Sequence, residues 1–136
     1  MLSLSDVRRR YKPKIPSLLH DPQGVNFEKI KTLSIDSHVA PYFPYTKDIS
    51  ALKGKQGVSQ KYPPTKIGVV FSGGPASGGH NVVSGIFDTL QQIGNIDSLL
   101  GFIGGPGAIV SGSYKELKAG EVDCFRNQGG FDLLGS

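Results

Sequence analysis

The stretch Lys66-Ile-Gly-Val-Val-Phe-Ser-Gly-Gly-Pro-Ala-Ser-Gly-Gly-His-Asn-Val-Val-Ser-Gly-Ile-Phe87 decides the fold. It opens with a short apolar, β-branched run, Ile67 to Phe71, which suits a strand buried on both faces. A glycine-dense turn follows from Ser72 to Gly79. Val82, Val83, Ile86, Phe87, Leu90 and Ile93 then recur at three- and four-residue spacing, the stripe of an amphipathic helix. Strand, glycine-rich turn and helix together aim unpaired backbone N–H groups, backed by the helix dipole, at one point. Such a point attracts phosphate. Glycine suits the turn because an anion must approach the backbone closely and because some turn residues need positive φ.

Two familiar phosphate loops are excluded by spacing. Gly74 to Gly79 supplies the G-x-x-x-x-G of a P-loop, but His80-Asn81 stands where Lys-Ser/Thr is required. The dinucleotide pattern G-x-G-x-x-G also fails, because the glycines fall as G-G-x-x-x-G-G. By itself the turn leaves two readings open, phosphate binding and plain tight packing.

Working outward, the chain divides in composition near Lys66. Residues 1–66 carry 12 Lys/Arg against 5 Asp/Glu, whereas residues 67–136 carry 3 against 6, so the net charge of +4 is unevenly spread. Seven of the nine prolines lie in the first part and 16 of the 19 glycines in the second. The expected organisation is a basic, Pro-containing N-terminal extension and linker over 1–66, then an α/β segment over 67–136. The extension has too few periodic apolar residues to bury a core of its own. Pro41-Tyr-Phe-Pro-Tyr45 reads as a packing anchor, and Lys53 to Pro64 as a surface linker.

Strands are expected near 67–71, 99–103 and 114–117, and helices near 80–93 and 119–127. Their alternation implies a doubly wound, Rossmann-like parallel sheet, with ligands outside the carboxyl ends of the strands. The candidate binding residues Gly73, Gly74, Gly78 and Gly79 fall there.

Other chemistry finds little support. His20, His38 and His80 show no metal-ligand spacing, so no metal site is expected. His80 falls in the first helical turn, where hydrogen bonding or packing is its ordinary role. The single cysteine, Cys124, permits no internal disulfide and reads as a half-buried apolar residue. Asp88, on a helix face, and Asp97, in a turn, read as solvated carboxylates. Ser72 has no general base in view, and no catalytic residue is assigned. Gly85 interrupts a helix at about 1 kcal/mol, which close packing on a neighbouring strand would explain. Arg8-Arg-Arg-Tyr-Lys-Pro-Lys14 is too short and motif-poor for a nucleic-acid surface. No apolar run approaches the ~20 residues that span a bilayer, and the N-terminus does not read as a secretory signal.

The longer string Ser72-Gly-Gly-Pro-Ala-Ser-Gly-Gly-His-Asn-Val-Val-Ser-Gly-Ile86 resembles the first phosphate loop of the phosphofructokinases, closest to their long, pyrophosphate-dependent branch. Leu99-Leu-Gly-Phe-Ile-Gly-Gly105 is similar to the family's second strand and its exit. Tyr114-Lys-Glu-Leu117 and Asn127-Gln-Gly-Gly-Phe-Asp-Leu-Leu-Gly-Ser136 resemble the segments that follow. Arg10-Tyr-Lys-Pro-Lys-Ile-Pro16 is similar to the long branch's extended entry. Pro75 and Ser77 depart from the family pattern, which has Gln and Pro there.

The resemblance implies phosphoryl transfer from pyrophosphate to the 1-hydroxyl of fructose 6-phosphate in glycolysis, with Mg²⁺, in a cytoplasmic homo-oligomer. It implies that the glycine matching Gly73 touches the phosphoryl donor. It also implies that residues 67–136 are the first part of the donor-binding domain, with the catalytic groups beyond residue 136, so that the chain alone is inactive. Alternatives within the class are an ATP-using homologue and a non-catalytic regulatory subunit, though the intact Gly73-Gly74 pair argues against the latter. From a different class, the chain would be a basic interaction module indifferent to these ligands.

Overall fold

The computed structural model describes residues 2–31, 35–46, 49–74, 77–94 and 96–136. Pro75, singled out above as a departure from the family loop, lies outside the described residues. Two compact units are present, one of residues 15–61 and one formed by residues 62–136 together with residues up to Lys14. Residues 2–14 thus group with the glycine-rich segment and not with the extension to which their composition assigns them.

In the unit of residues 15–61, strand β1 (Val25–Lys29) pairs antiparallel with β2 (Leu52–Gln56), Phe27 opposite Gly54. The expected surface linker therefore begins as a strand. Lys55 Nζ donates to Glu28 at 2.8 Å across the pair. The Pro41–Tyr45 segment does not anchor anything within its unit: Tyr42, Phe43 and Tyr45 are exposed, Tyr45 to 93%. None of the buried apolar side chains among the described residues comes from this unit.

The other unit begins with helix α1 (Leu4–Arg10), set by a capping box in which the Ser3 side chain and the Asp6 carboxylate exchange hydrogen bonds with each other's backbone N–H. After the other unit come strand β3 (Thr65–Val69), helix α2 (Gly79–Ile93), strand β4 (Ile96–Phe102), the short helix α3 (Gly107–Ser111), strand β5 (Tyr114–Glu116) and helix α4 (Ala119–Phe125). β3 and β4 pair in parallel, Ile67 opposite Leu99, with α2 as the crossover. The architecture is mixed α/β, and its β3–α2–β4 unit is that of a partial Rossmann-like domain.

β5 departs from the expected parallel sheet. It runs antiparallel to β4, Phe102 opposite Tyr114. The connection over residues 103–113 holds only one short helix, and a parallel return needs a dozen or more residues. Asp97, expected in a turn, lies within β4.

One face of the sheet carries the core. Val83, Phe87 and Leu90 of α2 meet Leu99 of β4, Leu117, Val122 of α4, and Leu133 and Leu134, with Ile67, Val69 and Phe71 at its margin. Val82, read above as part of the helical stripe, faces solvent instead. Gly101 leaves room for Leu134, whose Cδ2 would overlap a Cβ at that position. Gly85 is exposed, with nothing within 4 Å of an added Cβ, so close packing does not explain it. Cys124 is likewise exposed and free, not half-buried. No helix among the described residues is long and apolar enough to cross a membrane.

Candidate functional site

The carboxyl ends of β3 and β4 lead into two glycine-rich segments, and a third, after α4, lies against both. The first comprises residues 71–74 and 77–79. Gly73 holds φ 95°, a conformation that costs a residue with a Cβ and suits glycine. At Gly73, Gly74 and Gly78 an added Cβ would meet no atom of the described residues within 4 Å, so among those residues these three face open space. Gly79 differs. Its Cβ would stand 3.1 Å from the Gly130 carbonyl oxygen and 3.2 Å from the Phe71 ring, so it packs the turn against its neighbour.

α2 starts at this turn with Gly78 as N-cap and no side chain capping it. The first N–H groups of an α-helix have no intrahelical acceptor. A 15-residue helix therefore presents donors and its positive dipole end beside three open glycines.

The second segment leaves β4 through Gly104 and Gly105. Gly104 N–H donates to the Leu134 carbonyl at 2.8 Å, and an added Cβ on Gly105 would lie 2.8 Å from the Ser136 carbonyl carbon. The third segment, residues 126–136, thus lies against the second. It also lies against the first turn of α2, through His80 and Asn81.

His80 is 1% exposed. Its Nε2 accepts from Leu133 N–H at 3.1 Å, which requires the neutral ring's proton on Nδ1, and Nδ1 donates to the Gln128 carbonyl at 3.1 Å. The ring sits between Phe71 and Phe125, with centroids at 6.5 and 4.8 Å. Asn81 Oδ1 accepts from the Asn127 N–H at 2.9 Å. The Asn127 side-chain amide in turn donates to the Arg8 and Tyr11 carbonyls, at 2.9 and 2.8 Å, and so closes the end of α1. Ser5 and Gln128 add a reciprocal pair, Ser5 Oγ to Gln128 Oε1 and Gln128 Nε2 to the Ser5 carbonyl.

Arg126 clamps the same junction from outside. It donates two bonds to Asp88 of α2, at 2.7 and 2.8 Å, and further bonds to Asp123. Its pKa is raised further by Asp88 first and then by Asp123, partly offset by burial. Asp88, read as a solvated carboxylate, is thus the partner of a bidentate pair. Lys115 and Glu121 pair nearby.

The structure therefore gathers Gly73, Gly74 and Gly78 at one open edge and sets Gly79 behind them. Asn127, Gln128 and Gly130, quoted above within a longer resembling segment, were given no site role there. Their signal is the Asn-Gln-Gly-Gly string, since asparagine tolerates the left-handed region, and Asn127 has φ 56°. Among the described residues no three His, Cys, Asp or Glu side chains gather to hold a metal ion.

No family model matches the chain. Individual proteins do. It is 37% identical over 131 residues, 95% of its length, to a pyrophosphate–fructose 6-phosphate 1-phosphotransferase of Porphyromonas gingivalis, and covers 24% of that protein. It is 33% identical, over 98% of its length, to the protein of the same name in Treponema pallidum, covering 26% of it. The chain is similar, over nearly all its length, to pyrophosphate-dependent phosphofructokinases. It spans about a quarter of the length of these curated relatives. Identity rises to 58% over 69 residues, 51% of the chain and 12% of the relative, against the subunit beta 2 of the Arabidopsis thaliana enzyme.

Proposed function

We propose that this chain supplies the donor-phosphate loop of an enzyme that transfers a phosphoryl group from pyrophosphate to the 1-hydroxyl of fructose 6-phosphate. One observation carries the reading: the space that the described residues leave open over Gly73, Gly74 and Gly78, beside the uncapped start of α2 and beyond the carboxyl ends of a parallel strand pair. The names of the relatives support pyrophosphate as the donor. Residues 67–136 are then the first part of the donor-binding domain. Gly73, Gly74 and Gly78 admit the phosphate to the backbone, and Gly79 holds the turn in place by packing.

The chain's part in the chemistry is to bind and orient. Backbone N–H groups fixed before the reaction stabilise charge on the transferring group without reorganising. Mg²⁺ is the implied metal of the whole enzyme. The described residues do not fit it, because they bring no three His, Cys, Asp or Glu side chains together, so no step here passes through the metal. Because the resemblance puts the catalytic groups outside these residues, the 136-residue chain by itself is expected to turn over no fructose 6-phosphate. A cytoplasmic homo-oligomer is the proposed setting, and the subunit designation of the plant relative supports an assembled state.

The test is an NMR titration of the chain with pyrophosphate. The amides of Gly73, Gly74, Gly78 and Gly79 should shift together and saturate. Saturable shifts elsewhere with these amides silent, or no shifts at all, would remove the assignment.

A further inference from the structure

We propose that His80 is a positioning residue for the donor-phosphate site, tying the third glycine-rich segment to the helix that carries the phosphate loop. The proposal rests on the phosphate reading above and extends it to a buried residue whose ring is held by the protein's own backbone.

Three observations carry it. His80 is the second residue of α2, so its backbone belongs to the donor-bearing first turn while its ring points into the protein. Both ring nitrogens are used on one target: Nδ1 holds the Gln128 carbonyl and Nε2 receives the Leu133 N–H. The segment between those two residues includes Gly130, whose carbonyl oxygen comes within 3.1 Å of a Cβ position on Gly79. One imidazole thereby fixes how closely residues 128–133 approach the loop.

The link continues past Leu133. Leu134 accepts from Gly104 N–H, and Ser136 abuts Gly105, so the placing of 128–133 also places the segment that leaves β4. An apolar ring would keep the packing beside Phe71 and Phe125 but leave the Gln128 carbonyl and the Leu133 N–H without their partner, so it removes the two bonds that set the geometry. Glutamine can present one N–H donor and one carbonyl acceptor from a single planar group, and is the conservative replacement.

The experiment uses the 136-residue chain and pyrophosphate, with affinity measured by NMR titration for the wild type, His80→Phe and His80→Gln. Wild type should bind with the His80 ring in its Nδ1–H tautomer, seen in long-range ¹⁵N couplings. His80→Phe should weaken binding roughly tenfold or more, as small displacements of positioned groups do, while His80→Gln restores most of it. A folded His80→Phe chain with wild-type affinity would overturn the positioning role and leave the phosphate site standing. A wild type that does not bind pyrophosphate would overturn both. Should His80→Phe fail to fold, the wild type decides: saturating pyrophosphate should move the Gln128 and Leu133 amides, and silence there overturns the proposal.

Discussion

Asn127 holds a left-handed φ of 56° and gives its backbone N–H to the side-chain oxygen of Asn81, 2.9 Å away. Its own side-chain amide closes two carbonyls at the end of α1. One asparagine thus joins the first turn of α2 to the N-terminal helix. Asn127→Ala should cost about 1–2 kcal/mol, from the lost cap and the strained backbone together. Asn127→Gly removes the cap but relieves the strain, so it should cost less. Urea denaturation gives the ranking. Tryptic cleavage at Arg8–Arg10 should accelerate in both variants, because α1 loses its tether.

Arg126 should matter through geometry more than charge. Arg126→Lys keeps the cation but loses the two parallel bonds to Asp88. Because both acidic partners are more than half exposed, the expected loss for Arg126→Met is about 0.5–1.5 kcal/mol, smaller at high salt. Equal stability of the Lys variant and wild type would show that the fork contributes nothing.

Acid should loosen α1 before neutral pH effects are felt. The hydrogen bonds from the Ser3 side chain, then from its backbone, lower the pKa of Asp6 below its ordinary value. A carboxylate whose folded pKa is depressed stabilises above its unfolded pKa and loses that contribution as pH falls through the folded one. The window therefore lies at and below the ordinary value of 3.8. NMR titration of Asp6 should show the depressed midpoint, and Ser3→Ala should return it toward the ordinary range. Glu28 should behave likewise, with Lys55 as the partner to remove.

What the sequence disclosed follows from where local chemistry decides structure. The apolar run before the glycines and the stripe after them gave β3 and α2 to within two residues, because β-branched packing and helical periodicity act locally. β5 has strand chemistry too, but its direction depends on the length of the connection from β4, which periodicity does not reveal. His80 was visible in the first turn of the helix, whereas its partners lie 48 and 53 residues away and only the fold brings them near. The open glycines were legible as a set. Their division into three facing space and one packed on Gly130 was not, since it turns on a backbone contact between distant turns.

Gly85 gives a test of stability separate from the site. It lies in the middle of α2, exposed, with nothing near an added Cβ. Gly85→Ala should therefore stabilise the chain by about 0.5–1 kcal/mol, as alanine replaces glycine in an open helix interior. Destabilisation would mean that another surface packs on this face in solution. Thermal unfolding at fixed pH measures it.

The phosphate loop is tested best by contrasting two neighbours. Gly73 has φ 95°, so Gly73→Val strains the backbone as well as filling the space above it. Gly74 has the same open space without a left-handed φ, so Gly74→Ala should leave folding nearly untouched. Both Cβ atoms would stand where the donor phosphate is proposed to approach. In a full-length enzyme carrying this segment, Gly74→Ala should raise the apparent pyrophosphate constant about tenfold or more with the melting temperature within a degree or so. Gly73→Val should abolish measurable turnover and also lower the melting temperature. The constant for fructose 6-phosphate should change little in the Gly74 variant. Steady-state kinetics with each substrate varied in turn, beside thermal unfolding of each variant, separates the outcomes. Unchanged pyrophosphate kinetics in a folded Gly74→Ala enzyme would mean that the open edge of this turn is not where the donor sits.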